Sequence, residues 1–174
     1  MHVILIGLRG CGKTTAGRAA ARILNRAFID LDDRTSEIVG MSASECFVRH
    51  GEVAWREAES LALRDALAGH EPTVIALGGG TPTAPDAETM LRLAKAERGD
   101  TIAWLDASPE VLVGRIHEDG DRPPLTGLPP LEEMIEIDRR RRALFEAIAD
   151  RRIEVDDHST STTIGAIIAL ATSG

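Results

Sequence analysis

The segment from Gly7 to Thr14 restricts the fold of this chain more than any other stretch of the sequence. It reads GLRGCGKT, which fits the spacing Gly-x-x-x-x-Gly-Lys-Ser/Thr of a phosphate-binding loop. Such a loop needs a strand before it and a helix after it, and the apolar run at 2–6 and the helix-forming residues at 13–25 provide them. The pattern predicts a phosphate loop at 7–14; the alternative is a glycine-rich turn that binds no ligand.

The residue types in the phosphate loop account for anion binding. Glycines allow consecutive backbone N–H groups to point at one anion, and the start of the following helix adds partial positive charge. The ammonium of Lys13 would neutralise the terminal phosphates, and the hydroxyl of Thr14 is a ligand type suited to Mg²⁺. The residues predicted to contact a nucleotide here are Gly10, Cys11, Gly12, Lys13, Thr14 and Thr15.

The bulk properties of the chain narrow the choice of partner and compartment. Its 174 residues fit one domain, and a net charge of −8 disfavours a nucleic-acid partner. No apolar run approaches the roughly 20 residues that span a bilayer, and no signal peptide precedes the first predicted strand. Cys11 and Cys46 lack metal-ligand spacing and fit a reducing compartment. We expect a cytoplasmic monomer without a nucleic-acid or membrane partner.

Apolar runs alternate with helical segments along the chain. Strands are predicted at 2–6, 28–30, 73–77, 101–105 and 152–155, and helices at 13–25, 33–39, 43–49, 52–69, 86–98, 109–116, 130–149 and 162–172. This alternation predicts an α/β fold in which a parallel sheet carries helices on both faces. Two segments interrupt it: 32–60 contains helices without a strand, and 117–130 is a polar loop rich in Pro and Gly. Long loops of the second kind often act as active-site lids.

Two carboxylates, Asp30 and Asp32, stand at the end of the second predicted strand. Ligands of parallel sheets bind beyond the carboxyl ends of the strands, and both side chains point the same way if the strand continues to Asp32. One carboxylate would then hold Mg²⁺ through water, and the other would accept a proton from a hydroxyl. The alternative is a helix cap, since Asp32 and Asp33 precede a helical segment. Asp106, after the apolar run IAWL, is a second candidate acid for the nucleotide.

Three consecutive glycines at 78–80 follow the third predicted strand. Backbone without side chains lets a ligand approach closely, so this glycine turn is a candidate pocket wall. A flexible turn before Pro82 is the alternative.

Several arginines are candidates for binding anionic groups. Arg122, in the predicted lid, would stabilise phosphate charge if the lid closes, and is otherwise a solvated loop residue. Arg56 is either half of a helix-surface ion pair or part of a carboxylate clamp. The four arginines at 139–142 cannot all face one site, because successive helical residues are about 100° apart. Most are expected to pair with acids of the same helix, namely Glu132, Glu133 or Glu136.

Taken in order, these motifs resemble the shikimate kinase family, small P-loop kinases with the nucleoside-monophosphate-kinase fold. The resemblance rests on GLRGCGKTTAGR, FIDLD, GEVAWRE, LGGGTPT, DRPPL and RRALFEAIAD, and it runs from about residue 3 to residue 156. It implies a single three-layer α/β/α domain, 1–174, with a five-stranded parallel sheet. Its implied parts are a core of 1–31, 61–116 and 131–174, a substrate-binding insert of 32–60 and a lid of 117–130.

The activity that the resemblance implies is ATP-dependent, Mg²⁺-assisted phosphorylation of the 3-hydroxyl of shikimate, a step of aromatic amino-acid synthesis. Asp32 would bind shikimate hydroxyls and serve as the candidate base. Asp30 would hold Mg²⁺ through water, and Thr14 would bind it directly. Arg56 and Arg141 would clamp the substrate carboxylate.

The resemblance also implies roles around the transferred phosphoryl group. Lys13 and Arg122 would act with Asp32 in catalysis, with Arg122 touching both the ATP phosphates and the substrate. Arg115 would stack on adenine. The implied glycine lining of the shikimate pocket is Gly78, Gly79 and Gly80.

The chain departs from the family pattern at three positions, where Trp55 replaces a Phe, Ala143 a Pro and Phe145 a Tyr. Two rival functions remain open at this point. One is a kinase for another small hydroxy acid, such as gluconate. The other is a non-catalytic nucleotide-binding module that regulates a partner.

Overall fold

A five-stranded, all-parallel sheet forms the centre of the computed structural model, which describes residues 1–116, 127–156 and 159–172. Its strands are β1 (Val3–Ile6), β2 (Ala27–Asp30), β3 (Thr73–Ala76), β4 (Thr101–Asp106) and β5 (Arg151–Glu154). They lie in the order β2-β3-β1-β4-β5. All five predicted strands are present, with small shifts at their ends, so the predicted α/β fold is confirmed.

Seven α-helices of the described residues surround this sheet. They are α1 (Lys13–Ile23), α2 (Leu31–Val39), α3 (Ala43–Ala68), α4 (Ala87–Arg98), α5 (Pro109–Ile116), α6 (Pro130–Ile148) and α7 (Thr160–Thr172), and a short 3-10 turn covers Thr81–Thr83. Leu5 faces α1, where a side chain at Gly17 would touch it. Trp104, in register with Ile6, faces the opposite side and packs against Phe145 of α6. Helices therefore cover both faces, as the three-layer prediction requires.

The sequence of β1 reflects its central position. All four residues of this strand, VILI, are fully buried, because neighbouring strands lie on both sides and helices on both faces. A parallel strand in this position shows a continuous apolar run instead of alternation. The polar residues that follow β1, β2 and β3 consequently meet at one edge of the sheet.

The junction of β2 and α2 differs from the prediction. The strand ends at Asp30 and the helix begins at Leu31, two residues earlier than expected. The cause is a helix cap: the side chain of Asp30 accepts a hydrogen bond from the backbone N–H of Asp32 at 3.1 Å. Asp32 thus lies on the first turn of α2 and not on an extension of the strand. The helix-cap alternative was therefore right about the start of a helix, but the capping residue is Asp30 and not Asp32 or Asp33.

The predicted insert contains a hydrophobic cluster of its own. Ala43, Cys46 and Trp55 are buried together, apart from the main core, with Phe47 packed against them. The helices predicted at 43–49 and 52–69 are joined as α3, which is interrupted at Gly51 with φ +81°. The extents of the insert and the lid remain predictions, and residues 117–126 of the lid lie outside the described residues.

Within the described ranges, no helix combines the length and the apolar character that crossing a membrane requires.

His2 is a buried titratable group at the amino edge of the sheet. Its Nε2 lies 3.0 Å from the carbonyl oxygen of Gly69, which can only accept, so Nε2 carries the proton. Its Nδ1 has no hydrogen-bond partner in the described part of the chain. Burial lowers the pKa of His2; Asp100 opposes this change, while Arg98 and the α-amino group add to it. The folded state therefore favours the neutral imidazole.

We predict that His2 makes folding less stable as the pH falls below about 6.5, the ordinary pKa of imidazole. The unfolded chain takes up a proton there, whereas folded His2 does so only at its lowered pKa. The stability that neutral His2 preserves is complete above about pH 6.5 and is lost as the pH falls toward the lowered pKa of the folded state. Urea denaturation at about pH 7.5 and about pH 5.5 measures it, with His2→Gln compared to His50→Gln, an exposed control. An unaltered pH dependence in His2→Gln would contradict this account.

Candidate active site

A cleft of about 480 Å³ opens at the carboxyl edge of the sheet. Its walls include the loop at 9–16 after β1 and Gly79 after β3. Asp30, the last residue of β2, and Asp32, just beyond that strand, also line it. The far end is formed by Arg115, Val155, Thr160 and Thr163. Three strand ends thus bring together the phosphate loop, two carboxylates and the glycine turn.

Backbone geometry explains the glycines of the phosphate loop. Gly7 has φ +143°, and a Cβ there would collide with the backbone oxygen of Leu105 and lie 2.8 Å from Sγ of Cys11. Gly12 has φ +91° and stands immediately before α1. Residues with side chains rarely adopt these angles. The loop can therefore fold tightly against β4.

Lys13 is folded into the phosphate loop. Its Nζ donates hydrogen bonds of 2.9 Å to the carbonyl oxygens of both Gly7 and Leu8, and it lies 3.5 Å from Sγ of Cys11. The residue is only 8% exposed although it lines the cleft. One ammonium group therefore holds the loop closed from within and stands at the cleft wall, where an anion would meet it.

Thr14 and Asp30 place two potential metal-ligand oxygen atoms side by side next to the phosphate loop. The hydroxyl of Thr14 donates to Oδ2 of Asp30 at 2.7 Å, while Oδ1 of Asp30 caps α2. No group of three or more His, Cys, Asp or Glu residues suited to a metal occurs in the described part of the chain. Mg²⁺, however, is commonly held by one or two protein oxygens together with substrate phosphates. The hydroxyl and carboxylate fit that pattern.

Each residue of the glycine turn has a close neighbour that an added side chain would crowd. A Cβ on Gly78 would lie 2.5 to 2.8 Å from oxygens of Asp32, Glu59 and Thr81. A Cβ on Gly80 would overlap the guanidinium of Arg56.

The middle glycine, Gly79, is limited by backbone. Its Cβ would lie 3.1 Å from the backbone nitrogen of Arg9 in the phosphate loop. The glycine turn is thus tightly packed and not merely flexible, and its role as a wall of the substrate pocket remains a prediction.

Glu59 is a site residue that the sequence analysis missed. It is 1% exposed and accepts hydrogen bonds from Nη1 of Arg56 at 2.5 Å and from the hydroxyl of Thr81 at 2.8 Å. Burial raises the pKa of this carboxyl group, and the adjacent Arg56 opposes that change. The i, i+3 spacing from Arg56 was visible in the sequence, but the same spacing also fits an exposed ion pair.

Arg56 and Arg141 approach each other behind the glycine turn. Arg56 also donates to Glu52 through Nε at 3.1 Å and Nη2 at 2.8 Å. Arg141 donates to the carbonyl oxygen of Gly79 at 3.0 Å. Burial lowers the pKa of Arg141 to about 10, and the positive charge of Arg56 contributes to that change. An anion bound between the two guanidinium groups would relieve this repulsion.

The two arginines adjoin the cleft without lining it. Arg56, Arg141, Gly78 and Gly80 are absent from its described walls, whereas all predicted nucleotide contacts from Gly10 to Thr15 belong to them. The described cleft is thus the nucleotide side of the predicted site. Of the predicted acceptor residues, Asp32 and Gly79 line the cleft, and Arg141 reaches the carbonyl oxygen of Gly79 from outside it.

The remaining predicted residues have varied positions. Arg115 lines the cleft and donates to the carbonyl oxygen of Val155 at 3.0 Å, whereas Arg122 lies outside the described residues. Trp55 is fully buried, so it shapes the insert without contacting the cleft. Asp106 pairs with arginines on β5 and α6 and does not line the described cleft.

The outer arginines of α6 pair with an acid of their own helix. Arg139 and Arg140 both donate to Glu136 on an exposed surface. The expected pairing with Glu132, Glu133 or Glu136 therefore holds for two of the four arginines, whereas Arg142 pairs with Asp138 and Asp106 and Arg141 donates to Gly79.

Replacing Gly80 with Ala should displace the Arg56 guanidinium while leaving the fold intact. The new Cβ would overlap the far end of a flexible side chain, which moves at low cost. A crystal structure of Gly80→Ala should show the Arg56 guanidinium shifted away from residue 80 but still paired with Glu59, and thermal unfolding should shift by only a few degrees, roughly 1 kcal/mol. Gly165→Ala is the matched control, since open space surrounds Gly165 in α7. An unmoved Arg56 in Gly80→Ala would contradict the prediction.

Known proteins are similar to this chain in sequence and in architecture. The sequence model of the shikimate kinase family matches residues 9–171. A shikimate kinase from Rhodopirellula baltica is 34% identical over 179 aligned residues, which cover 99% of this chain and 91% of the relative. A solved structure of the shikimate kinase from Acinetobacter baumannii in complex with shikimate has a TM-score of 0.89 at 27% identity, covering 99% and 93% of the two chains. A gluconokinase from Sinorhizobium meliloti, at a TM-score of 0.62 and 20% identity over 98% and 90% of the chains, is similar in fold alone.

Proposed function

The chain belongs to the shikimate kinase family, and from this premise we propose that it transfers the γ-phosphoryl group of ATP to the 3-hydroxyl of shikimate. The products are shikimate 3-phosphate and ADP, and the reaction is a step of aromatic amino-acid synthesis. One observation carries the proposal: the glycine turn touches the phosphate loop at Gly79 and the buried Arg56 at Gly80. A phosphate donor and a carboxylated acceptor would meet across this backbone.

The nucleotide half of the proposed site uses the described cleft. Backbone N–H groups of residues 10–15 would surround the phosphates, and Lys13 would exchange its hydrogen bonds to loop carbonyls for contacts with them. Arg115, with Val155 beside it, would lie against adenine at the far end of the cleft. The open space between these two ends fits an extended nucleotide.

Thr14 and Asp30 are the residues that would hold Mg²⁺, Thr14 directly and Asp30 through water. Their oxygen atoms lie 2.7 Å apart beside the phosphate loop, and both are ligand types that Mg²⁺ prefers. When bound, Mg²⁺ would neutralise charge on the phosphate oxygens. Asp30 would also keep capping the start of α2, which fixes the position of Asp32 relative to the metal ligands.

The acceptor half of the proposed site is built around two guanidinium groups. Arg56 and Arg141 would bind the shikimate carboxylate, since planar guanidinium groups match a carboxylate through paired hydrogen bonds. Glu59 holds Arg56 from the buried side, while Glu52 accepts from Nε and Nη2 and would give way to the substrate carboxylate. Gly78, Gly79 and Gly80 would give the ring of the substrate room to approach.

Asp32 would direct the chemical step. It lines the cleft near Gly78, between the phosphate loop and the buried Glu59. From there its carboxylate would orient the 3-hydroxyl for in-line attack on the γ-phosphorus and accept the proton released. Lys13 would stabilise charge on the phosphoryl group, and Arg122 is proposed to join it from the lid on the basis of the family resemblance.

The proposal includes a core, an insert at 32–60 and a lid at 117–130 within one catalytic domain. The proposed enzyme is a monomer. Cys11 and Cys46 are free thiols, which supports a cytoplasmic location.

A coupled assay of ADP release tests the proposed function. ADP should form with shikimate present and remain at background without it, and gluconate should not replace shikimate. Asp32→Asn is the matched control: its turnover should fall roughly 10²- to 10⁴-fold while ATP affinity is retained, because only the proton acceptor is lost. Turnover with gluconate but not shikimate would favour the rival kinase. Nucleotide binding without turnover would favour the regulatory module.

Arg56→Lys should raise the KM for shikimate roughly tenfold to a hundredfold, with a smaller effect on kcat. Lysine keeps a positive charge beside Glu59 but lacks the planar pair of donors for the substrate carboxylate. Steady-state kinetics measures both constants. Arg49→Lys, on the same helix and paired with exposed Glu45, should leave them unchanged. An unaltered KM in Arg56→Lys would remove Arg56 from the clamp.

A further inference from the structure

A buried acid outside the cleft joins β4 to helix α6. Asp106, whose side chain is 7% exposed, ends β4 and accepts two hydrogen bonds from Arg142, from Nη1 at 3.1 Å and Nη2 at 3.0 Å. Arg152 of β5 also pairs with Asp106, at 2.7 Å. The sequence analysis offered Asp106 as a candidate acid for the nucleotide, but Asp106 does not line the described cleft and the proposed chemistry does not use it.

Arg142 is held from two directions. Its Nε and Nη2 donate to Asp138 on the preceding turn of α6, at 2.9 and 3.1 Å. Its guanidinium also lies over the ring of Trp104, 5.0 Å from the ring centroid. Because a two-point contact with a carboxylate fixes orientation as well as distance, Asp106 restricts how α6 can turn on the sheet.

The rotation of α6 on the sheet also sets the position of the residue beside Arg142. Arg141 is the next residue toward the start of α6, about 100° around the helix, and it points to the carbonyl oxygen of Gly79. Its guanidinium is partly buried near that of Arg56, and this environment disfavours its charge. Arg56 therefore repels Arg141 from the position in which it would bind an anion, and Glu52 and Glu59 offset only part of the unfavourable effect.

Apolar packing alone gives a weaker constraint on rotation. Phe145 and Ile148 bury one side of α6, and the ring of Phe145 lies 6.0 Å from that of Trp104. Such contacts are largely non-directional, whereas the bond between Arg142 and Asp106 has defined angles.

We propose that Asp106 and Arg142 are positioning residues for the acceptor clamp, holding α6 so that Arg141 stays beside Arg56. This inference rests on the proposed function, in which Arg141 and Arg56 bind the carboxylate of the acceptor. Asp106 then acts on shikimate binding through Arg142 and Arg141, without touching either substrate.

Arg142→Gln tests this role, and Arg152→Gln is its matched control. Both variants remove one guanidinium from Asp106 and from the ring of Trp104, but Arg152 belongs to β5 and does not hold α6. We expect Arg142→Gln to raise the KM for shikimate roughly fivefold to twentyfold, with the KM for ATP changed by less than about twofold. Arg152→Gln should leave both KM values within about twofold, although thermal unfolding should shift in both variants.

Arg142→Lys is the conservative variant, and it separates the loss of the two-point contact from a general folding defect. Lysine keeps one hydrogen bond to Asp106 but not the two-point contact, so its KM for shikimate should lie between those of Arg142→Gln and the unaltered chain. Calorimetric titration with shikimate alone should rank the affinities in the same order.

The possible outcomes separate this inference from the proposed function. If the unaltered chain phosphorylates shikimate but Arg142→Gln and Arg152→Gln raise its KM equally, the positioning role is overturned and the function stands. Parallel increases in both KM values of Arg142→Gln would likewise overturn it. If the unaltered chain has no activity with shikimate, the proposed function fails and the positioning role fails with it.

Discussion

The close approach of bare backbone to charged side chains at the end of β3 is the constraint on which the rest of the site depends. Gly78 faces Asp32 and Glu59, Gly79 faces the phosphate loop, and Gly80 faces Arg56. A side chain at any of these positions would separate groups that the proposed reaction needs together. The parallel sheet makes the arrangement possible, because it delivers the ends of β1, β2 and β3 to the same edge.

The acceptor half of the site places two positive charges, those of Arg56 and Arg141, close together. Glu59 and Glu52 pair with Arg56, while Arg141 is buried next to Arg56 with a lowered pKa. A buried cation with a nearby like charge is electrostatically costly, and a bound carboxylate would remove much of that cost. The same balance explains why a contact outside the site, between Arg142 and Asp106, matters for shikimate binding in our account.

The sequence predicted those features that depend on local spacing. The phosphate loop, the strands and Arg56 as a candidate follow from short motifs, because glycine geometry and apolar runs are local properties. Two features escaped for physical reasons. The end of β2 depends on whether Asp30 caps the next helix or continues the strand, and both fit the residues FIDLD. Glu59 is recognisable only once β3 brings the glycine turn against α3, which is a contact between distant parts of the chain.

The identity of the phosphorylated product tests the central claim most directly. After incubation of the chain with ATP, Mg²⁺ and shikimate, phosphorus and carbon NMR should detect a single new phosphomonoester on the 3-hydroxyl, in equal amount to the ADP formed. This result is predicted because the clamp and Asp32 would present that one hydroxyl to the γ-phosphorus. Phosphorylation at another hydroxyl, or ADP accompanied only by inorganic phosphate, would contradict the proposed arrangement of acceptor and donor.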